Sequence, residues 1–197
     1  MKFKKIGYCM TASHCSFEAA YRAMESLALS GYELVPIMSE NAYYTDTRFA
    51  PAEEFSARVE AICGRQVIHT IKDAEPLGPK TPLDLLVVAP CTGNTLAKMV
   101  HGITDTAATM AIKAHLRADR PTLLAIATND AMSSNLANIS RALMRKSVYL
   151  VPMRQDDPVG KPHSLVADFG LVGECVRLIE EHAPSALAQM RPLFLSK

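Results

Sequence analysis

Four short stretches of this chain place small hydroxyl and amide residues directly after an apolar run and directly before a helical one. Thr11-Ala12-Ser13 is the first. Two hydroxyls beside the free N–H groups of a starting helix make a phosphate site. Ser13 as a simple N-cap would use the same residue type. Ser39 is the second; it completes a phosphate cradle or serves as a turn residue. The third, Pro90-Cys91-Thr92-Gly93-Asn94-Thr95, is the most specific. Its small residues let a planar ligand approach the backbone, and Thr92, Asn94 and Thr95 offer hydrogen bonds. A capping loop would need one such residue, not a run of them. The fourth is Asn129-Asp130-Ala131-Met132, where Asn129 or Asp130 also fits a helix cap. The competing dinucleotide fingerprint GxGxxG is absent, because Gly7 is followed by Tyr8, Cys9 and Met10. Glu40 stands where an NAD ribose ligand would, without the glycines that reading needs.

These stretches need a scaffold that brings them together. Apolar runs predict strands at Ile6–Met10, Glu33–Met38, Gln66–Ile71, Leu83–Ala89, Thr122–Ala127 and Val148–Pro152. The run LDLLVVA is nearly continuous, which fits a parallel strand covered on both faces. Helical spacing predicts helices at His14–Ser30, Pro51–Cys63, Thr95–His101, Ala107–Ala118, Ala131–Lys146 and Leu165–His182, with a short segment at Ser185–Arg191. Asp73–Pro82 and Met153–His163 carry the Pro, Gly and Asp residues of long loops, either functional flaps or plain connections. The alternation predicts an α/β fold: a Rossmann-like, doubly wound, mostly parallel sheet with helices on both faces. In such a sheet ligands bind beyond the carboxyl ends of the strands, at the switch point, where all four stretches fall.

The 197 residues suit one domain spanning residues 1–197. A chain of that length buries roughly 70% of its unfolded surface and needs no disulfide or metal staple. A net charge of +1 excludes a strong electrostatic case for nucleic acid or an anionic membrane. No apolar run reaches the ~18 residues of a transmembrane helix. Ile6–Met10 is too short for a signal h-region. Five cysteines, an odd count without a CxxC pair, argue against disulfides and zinc and point to a reducing cytosol. Cys9 and Cys91 flank the expected switch point and read as small residues lining a pocket.

The segment VVAPCTGNTLAKMVHGITDTAA resembles the flavoprotein family of homo-oligomeric FMN-binding decarboxylases and their relatives. That family's Pro-Ala-Ser-Ala-Asn-Thr hallmark corresponds to Pro90-Cys91-Thr92-Gly93-Asn94-Thr95. Lys98, Gly102, Ile103 and Asp105 also follow its pattern. Thr11-Ala12-Ser13 matches the place where the family holds the FMN phosphate. Thr128-Asn129-Asp130-Ala131-Met132 stands where the family has Pro-Met-Asn. The resemblance extends from Ile6 to Val151 and implies FMN as cofactor. It also implies a homo-oligomer, commonly a trimer or an assembly of trimers, with FMN near a subunit interface.

One departure narrows the reaction. The decarboxylating relatives carry a histidine before the strand aspartate, and here Pro76 takes that position ahead of Asp84. EPLGPK, ATNDAM and VPMRQDDPVGKPHSLVAD resemble a branch of the family found in spore-forming bacteria. Members of that branch act beside a dehydrogenase-like A subunit that uses NADP or NAD. The pair is taken to oxidise a dihydropyridine dicarboxylate to its aromatic product, in the cytoplasm of the mother cell. Two carboxylates call for cations, and Arg154 and Lys161 are the candidates, with Lys80 and Arg141 behind them. Each is equally at home as a solvated surface charge. Asp156-Asp157 alone does not make a metal site. No residue stands out as the acid or base. Cys91 lacks an activating histidine nearby in sequence. A non-redox FMN decarboxylase or transferase, or an FMN-binding assembly protein without catalysis, are the alternatives.

Overall fold

The computed structural model describes residues 2–78 and 80–182. Five apolar runs become parallel strands: β1 (Lys5–Met10), β2 (Glu33–Met38), β3 (Leu85–Cys91), β4 (Thr122–Thr128) and β5 (Val148–Leu150). Their order is β2-β1-β3-β4, with β5 beside β4. The chain steps from β1 outward to β2 and then back to β3 on the other flank of β1. The switch point therefore lies between β1 and β3, at their carboxyl ends.

Alternate strand residues point to opposite faces, and each face has its own helices. Ile6, Tyr8 and Met10 of β1, with Leu85, Val87 and Ala89 of β3, face one layer. There they meet α1 (Phe17–Leu29), α3 (Ala52–Cys63) and α8 (Val172–His182). Cys9, Leu86, Val88 and Leu124 face the other layer. It holds α5 (Gly93–His101), α6 (Ala107–Leu116) and α7 (Leu136–Leu143). Each fully buried Leu or Ile in these layers contributes about 1.5–3 kcal/mol. Gly64 ends α3 at φ 65°, a left-handed residue that leaves the chain free to turn toward the next segment.

Tyr8 shows how a polar atom is accommodated in this core. Its side chain is fully buried and its hydroxyl donates to the Ala20 carbonyl of α1 at 2.7 Å. Replacing Tyr8 by Phe is expected to cost about 1 kcal/mol, the net worth of one buried hydrogen bond plus the orphaned carbonyl. Urea unfolding of the two proteins measures it. Equal midpoints would mean the hydroxyl adds nothing.

Five sequence expectations need correction. Leu165–His182 is not one helix. Leu165–Ala167 forms β7, antiparallel to the end of β4, and a 3-10 turn at Phe169–Leu171 precedes α8. Asp168 breaks the run, because its side chain accepts from Gly170 N–H at 3.1 Å. Met153–His163 is not wholly loop: Met153–Arg154 forms β6, which pairs with β7. The expected strand at Gln66–Ile71 reduces to one bridge between Ile37 and Ile68. The expected loop at Asp73–Pro82 starts inside α4 (Ile71–Ala74), capped by Thr70, and continues as a 3-10 turn. Finally, Ala131–Lys146 is helical only over α7, because turns gathered on the Asp130 carbonyl occupy its first residues. One short helix, α2 (Glu40–Tyr44), was not expected, and the Ser185–Arg191 segment lies outside the described residues.

Candidate functional site

Thr11 locks the ends of β1 and β3 together. Its N–H and hydroxyl both donate to the Pro90 carbonyl, at 3.1 and 2.9 Å, and its hydroxyl oxygen accepts from Thr92 N–H at 2.9 Å. The Ala89–Pro90 bond is cis. Thr92 then caps α5, accepting from Thr95 N–H at 3.2 Å and donating to the Thr95 hydroxyl at 3.0 Å. These three threonine side chains are thus committed to holding the loop. Asn94, on the first turn of α5, is left exposed.

A cleft of about 610 Å³ opens over this junction, at the carboxyl ends of β1, β3 and β4. It gathers Ala12, Ser13, Thr92, Asn94, Asn129, Asp130 and Lys161 from the residues singled out in the sequence. Ser39 and Thr95 line an adjoining hollow of about 310 Å³ that shares Ala12, Thr92 and Asn94 with the cleft. Ser39 is also the N-cap of α2, accepting from Ala42 N–H at 3.3 Å. Thr11, Cys91 and Ala131 are buried beneath the cleft floor, and Pro90 lies in the strand between them. Met132 ties its N–H to the His163 carbonyl at 3.0 Å.

Some candidates lie elsewhere. Arg154 borders a neighbouring groove with Phe169 and Gly170. Lys80 precedes the amino end of β3, whereas the cleft opens at the carboxyl ends of the strands. Arg141 on α7 contacts the His101 imidazole at 2.9 Å. Cys9 and Cys91 do not line the cleft; they pack in the layer that faces α5, α6 and α7. Burial pushes the Cys91 thiol up to about 12, so it is no thiolate nucleophile. Glu40 accepts from Ala107 N–H at 2.9 Å and thereby caps α6.

The cleft also contains Thr128 from the fourth stretch, Asp156, which the sequence raised only as a weak metal ligand, and residues it did not mark: His14, Arg48, Asn135 and Ser164. Asp130 organises two of them. Its carboxylate accepts from the Thr128 hydroxyl at 2.5 Å and from the Asn135 amide at 2.8 and 2.9 Å. The Thr128 hydrogen bond, then that of Asn135, holds its carboxyl below the usual range despite some desolvation. Gly93 sits against this group. A Cβ there would meet the Thr128 hydroxyl at 2.6 Å and the Asn135 amide nitrogen closer still, so a larger residue would have to displace the Asp130 network. On the opposite wall the Ser164 hydroxyl and the Lys161 ammonium hold the Asp156 carboxyl low, with Lys161 at 3.0 Å. The His14 ring packs on Phe17 and Phe55, and burial lowers its pKa, which favours the neutral imidazole. Among these residues only the polar pattern around Asp130 was visible beforehand; no spacing rule links Asp130 to Asn135.

A doubly wound, mostly parallel sheet with a cleft of small hydroxyl and amide residues at its switch point defines an α/β protein of the Rossmann-like class. The chain belongs to the flavoprotein family, whose model matches residues 1–166. It is 38% identical over 195 residues to the B subunit of dipicolinate synthase from Bacillus subtilis (strain 168), covering 99% of this chain and 95% of that one. The crystal structure of the corresponding dipicolinate synthase polypeptide from Bacillus halodurans C superposes with a TM-score of 0.83 at 35% identity, over 95% of this chain and 97% of that one. The FMN-dependent cysteine decarboxylase SpaF shares the fold, with a TM-score of 0.67 at 22% identity over 92% and 98% of the two chains. The family and the Rossmann-like fold expected from the sequence are both borne out. No helix among the described residues is long and apolar enough to cross a membrane.

Proposed function

We propose that this chain is the B subunit of a dipicolinate synthase. It holds FMN in the switch-point cleft and, with a dehydrogenase-like A subunit carrying NADP or NAD, oxidises dihydrodipicolinate to dipicolinate in a spore-forming cell. Likeness over nearly the full length to two such dipicolinate synthase polypeptides, at 38% and 35% identity, carries this reading. The residues of the cleft fit FMN. Ser13 and the first N–H groups of the following helix suit its phosphate. The side chains of Asn94 and Asn129 make no hydrogen bond among the described residues and are free for the ring edge. The small side chain of Ala12 leaves room for a flat ring, Gly93 lets α5 close against Thr128 and Asn135, and Thr11, Thr92 and Thr95 fix the cradle below. FMN bound there would supply a two-electron acceptor, which is what aromatising a dihydropyridine requires. In this reading the chain works as a homo-oligomer, built from trimers, that completes the cofactor wall.

Turnover of dihydrodipicolinate by the dehydrogenase-like partner alone, by this chain alone and by the pair, with flavin absorbance followed, tests the proposal. Bleaching and recovery of the flavin during turnover supports it. A flavin that never responds while the pair turns over makes this chain an assembly protein. Release of carbon dioxide from a candidate carboxylate makes it a decarboxylase. Replacing Asn94 by Asp exchanges a donor for a charged acceptor and is expected to weaken FMN retention roughly tenfold. Flavin content after gel filtration measures this, and unchanged occupancy would remove Asn94 from the site.

A further inference from the structure

Four ionised side chains border the cleft: Arg48, Asp130, Asp156 and Lys161. Three have partners within the protein. Asp130 is taken up by Thr128 and Asn135, and Asp156 by Lys161 and Ser164. Arg48 makes no ion pair or hydrogen bond among the described residues. Its guanidinium instead lies over the ring of Phe49, 5.0 Å from the centroid.

The turn that carries these two residues is closed tightly. Thr47 N–H donates to the Ala50 carbonyl at 3.1 Å, and the Thr47 hydroxyl accepts from Phe49 N–H at 3.1 Å. Asp46 accepts from Ala52 N–H at 2.8 Å, which fastens the turn to the start of α3. Arg48 and Phe49 thus stand at the tip of a built turn, on the cleft rim, and Phe49 remains half exposed. A cation without a partner on an aromatic face, beside a cleft, suits a planar anion: a carboxylate for the guanidinium and a ring for the phenyl group.

We propose that Arg48 grips one carboxylate of a pyridine dicarboxylate and that Phe49 supports the ring. Lys161, already balanced by Asp156, borders the same cleft and can answer the second carboxylate. This inference rests on the dicarboxylate reading above and names a residue for it.

Calorimetric titration of dipicolinate and of picolinate, which lacks one carboxylate, into the FMN-loaded full chain tests it, with wild type, Arg48→Ala and Arg48→Lys compared. The expected result is at least a tenfold loss of dipicolinate affinity in Arg48→Ala, with FMN content and melting temperature kept. That variant should also bind dipicolinate no better than picolinate, and Arg48→Lys should fall between. Equal dipicolinate affinity in wild type and Arg48→Ala overturns the inference. So does loss of FMN from Arg48→Ala, because the guanidinium would then serve the cofactor. Wild-type protein that holds FMN but ignores dipicolinate, alone and with the dehydrogenase-like partner, defeats the functional reading itself, a result distinct from both.

Discussion

Replacing Asp130 by Ala is expected to lower unfolding stability by about 2 kcal/mol and to loosen cofactor retention with it. The carboxylate receives three hydrogen bonds from two side chains, and Asn135 is almost fully buried. Removing the acceptor leaves the Asn135 amide facing nothing, and an unpaired buried donor is the costly half of a broken hydrogen bond. Asn138 also donates to the Asn135 carbonyl oxygen at 2.9 Å, so the disturbance spreads into α7. Gly93 lies directly against the same amide, which links this network to the start of α5 and to Asn94. Chemical unfolding and flavin content should therefore fall together. Asp130→Asn keeps an acceptor oxygen and should recover part of both. If Asp130→Ala unfolds at the wild-type midpoint, the network carries no stability. If only flavin is lost, Asp130 serves the cofactor directly.

Mild acid should destabilise the protein through a residue far from the cleft. His115 on α6 is fully buried, its Nε2 donates to the Pro121 carbonyl at 2.8 Å, and its Nδ1 has no partner among the described residues. Burial lowers its pKa to about 4, and the Arg120 charge adds to that, against smaller opposing effects of the Pro121 carbonyl and Asp84. In the unfolded chain the same imidazole titrates near 6.5. The folded value is the lower one, so the unfolded state takes up the proton first as pH falls. The contribution is complete above pH ~6.5, declines between ~6.5 and ~4, and levels off below. At 1.36 kcal/mol per unit, about 2 kcal/mol is lost between pH 6.5 and 5. Urea unfolding at pH 7, 6 and 5 should show this slope in the wild type and a flatter one in His115→Leu, whatever that variant's stability at pH 7. Parallel slopes would show that other groups carry the acid sensitivity.

The parallel half of the sheet was legible because burial on both faces writes long apolar runs. Leu85 to Ala89 and Thr122 to Ala127 fit parallel strands covered on both faces, and the helix-opening residues after them mark the carboxyl ends where the cleft opens. The antiparallel part was not legible. Met153–Arg154 and Leu165–Ala167 are two and three residues long, too short for a period of two to register. Leu165 to Ala167 also runs within five residues of a true helix, so its apolar residues merge with that helix's pattern. In the cleft, loops marked by composition could be found, while residues defined by long-range contact could not. Asn135 sits in what looks like an ordinary helix. Arg48 belongs to a turn whose only outward sign is Asp46-Thr47, and its value comes from lacking a counter-ion, which no single sequence displays.

β4 changes partners along its length. Thr122 to Leu124 pair with β5 in the parallel core, while Ala127 and Thr128 pair with β7. The amino half of that strand is bound into the scaffold, and the carboxyl half supports an arm that walls the cleft with Asp156, Lys161 and Ser164. Residues 155–164 lie outside every ladder of the sheet. Insertions or deletions there would reshape the cleft while leaving the register of β1, β2, β3 and β5 untouched. One wall of the cleft is thus free to vary in length and sequence without moving the strand ends that carry Thr11, Pro90 and Thr92.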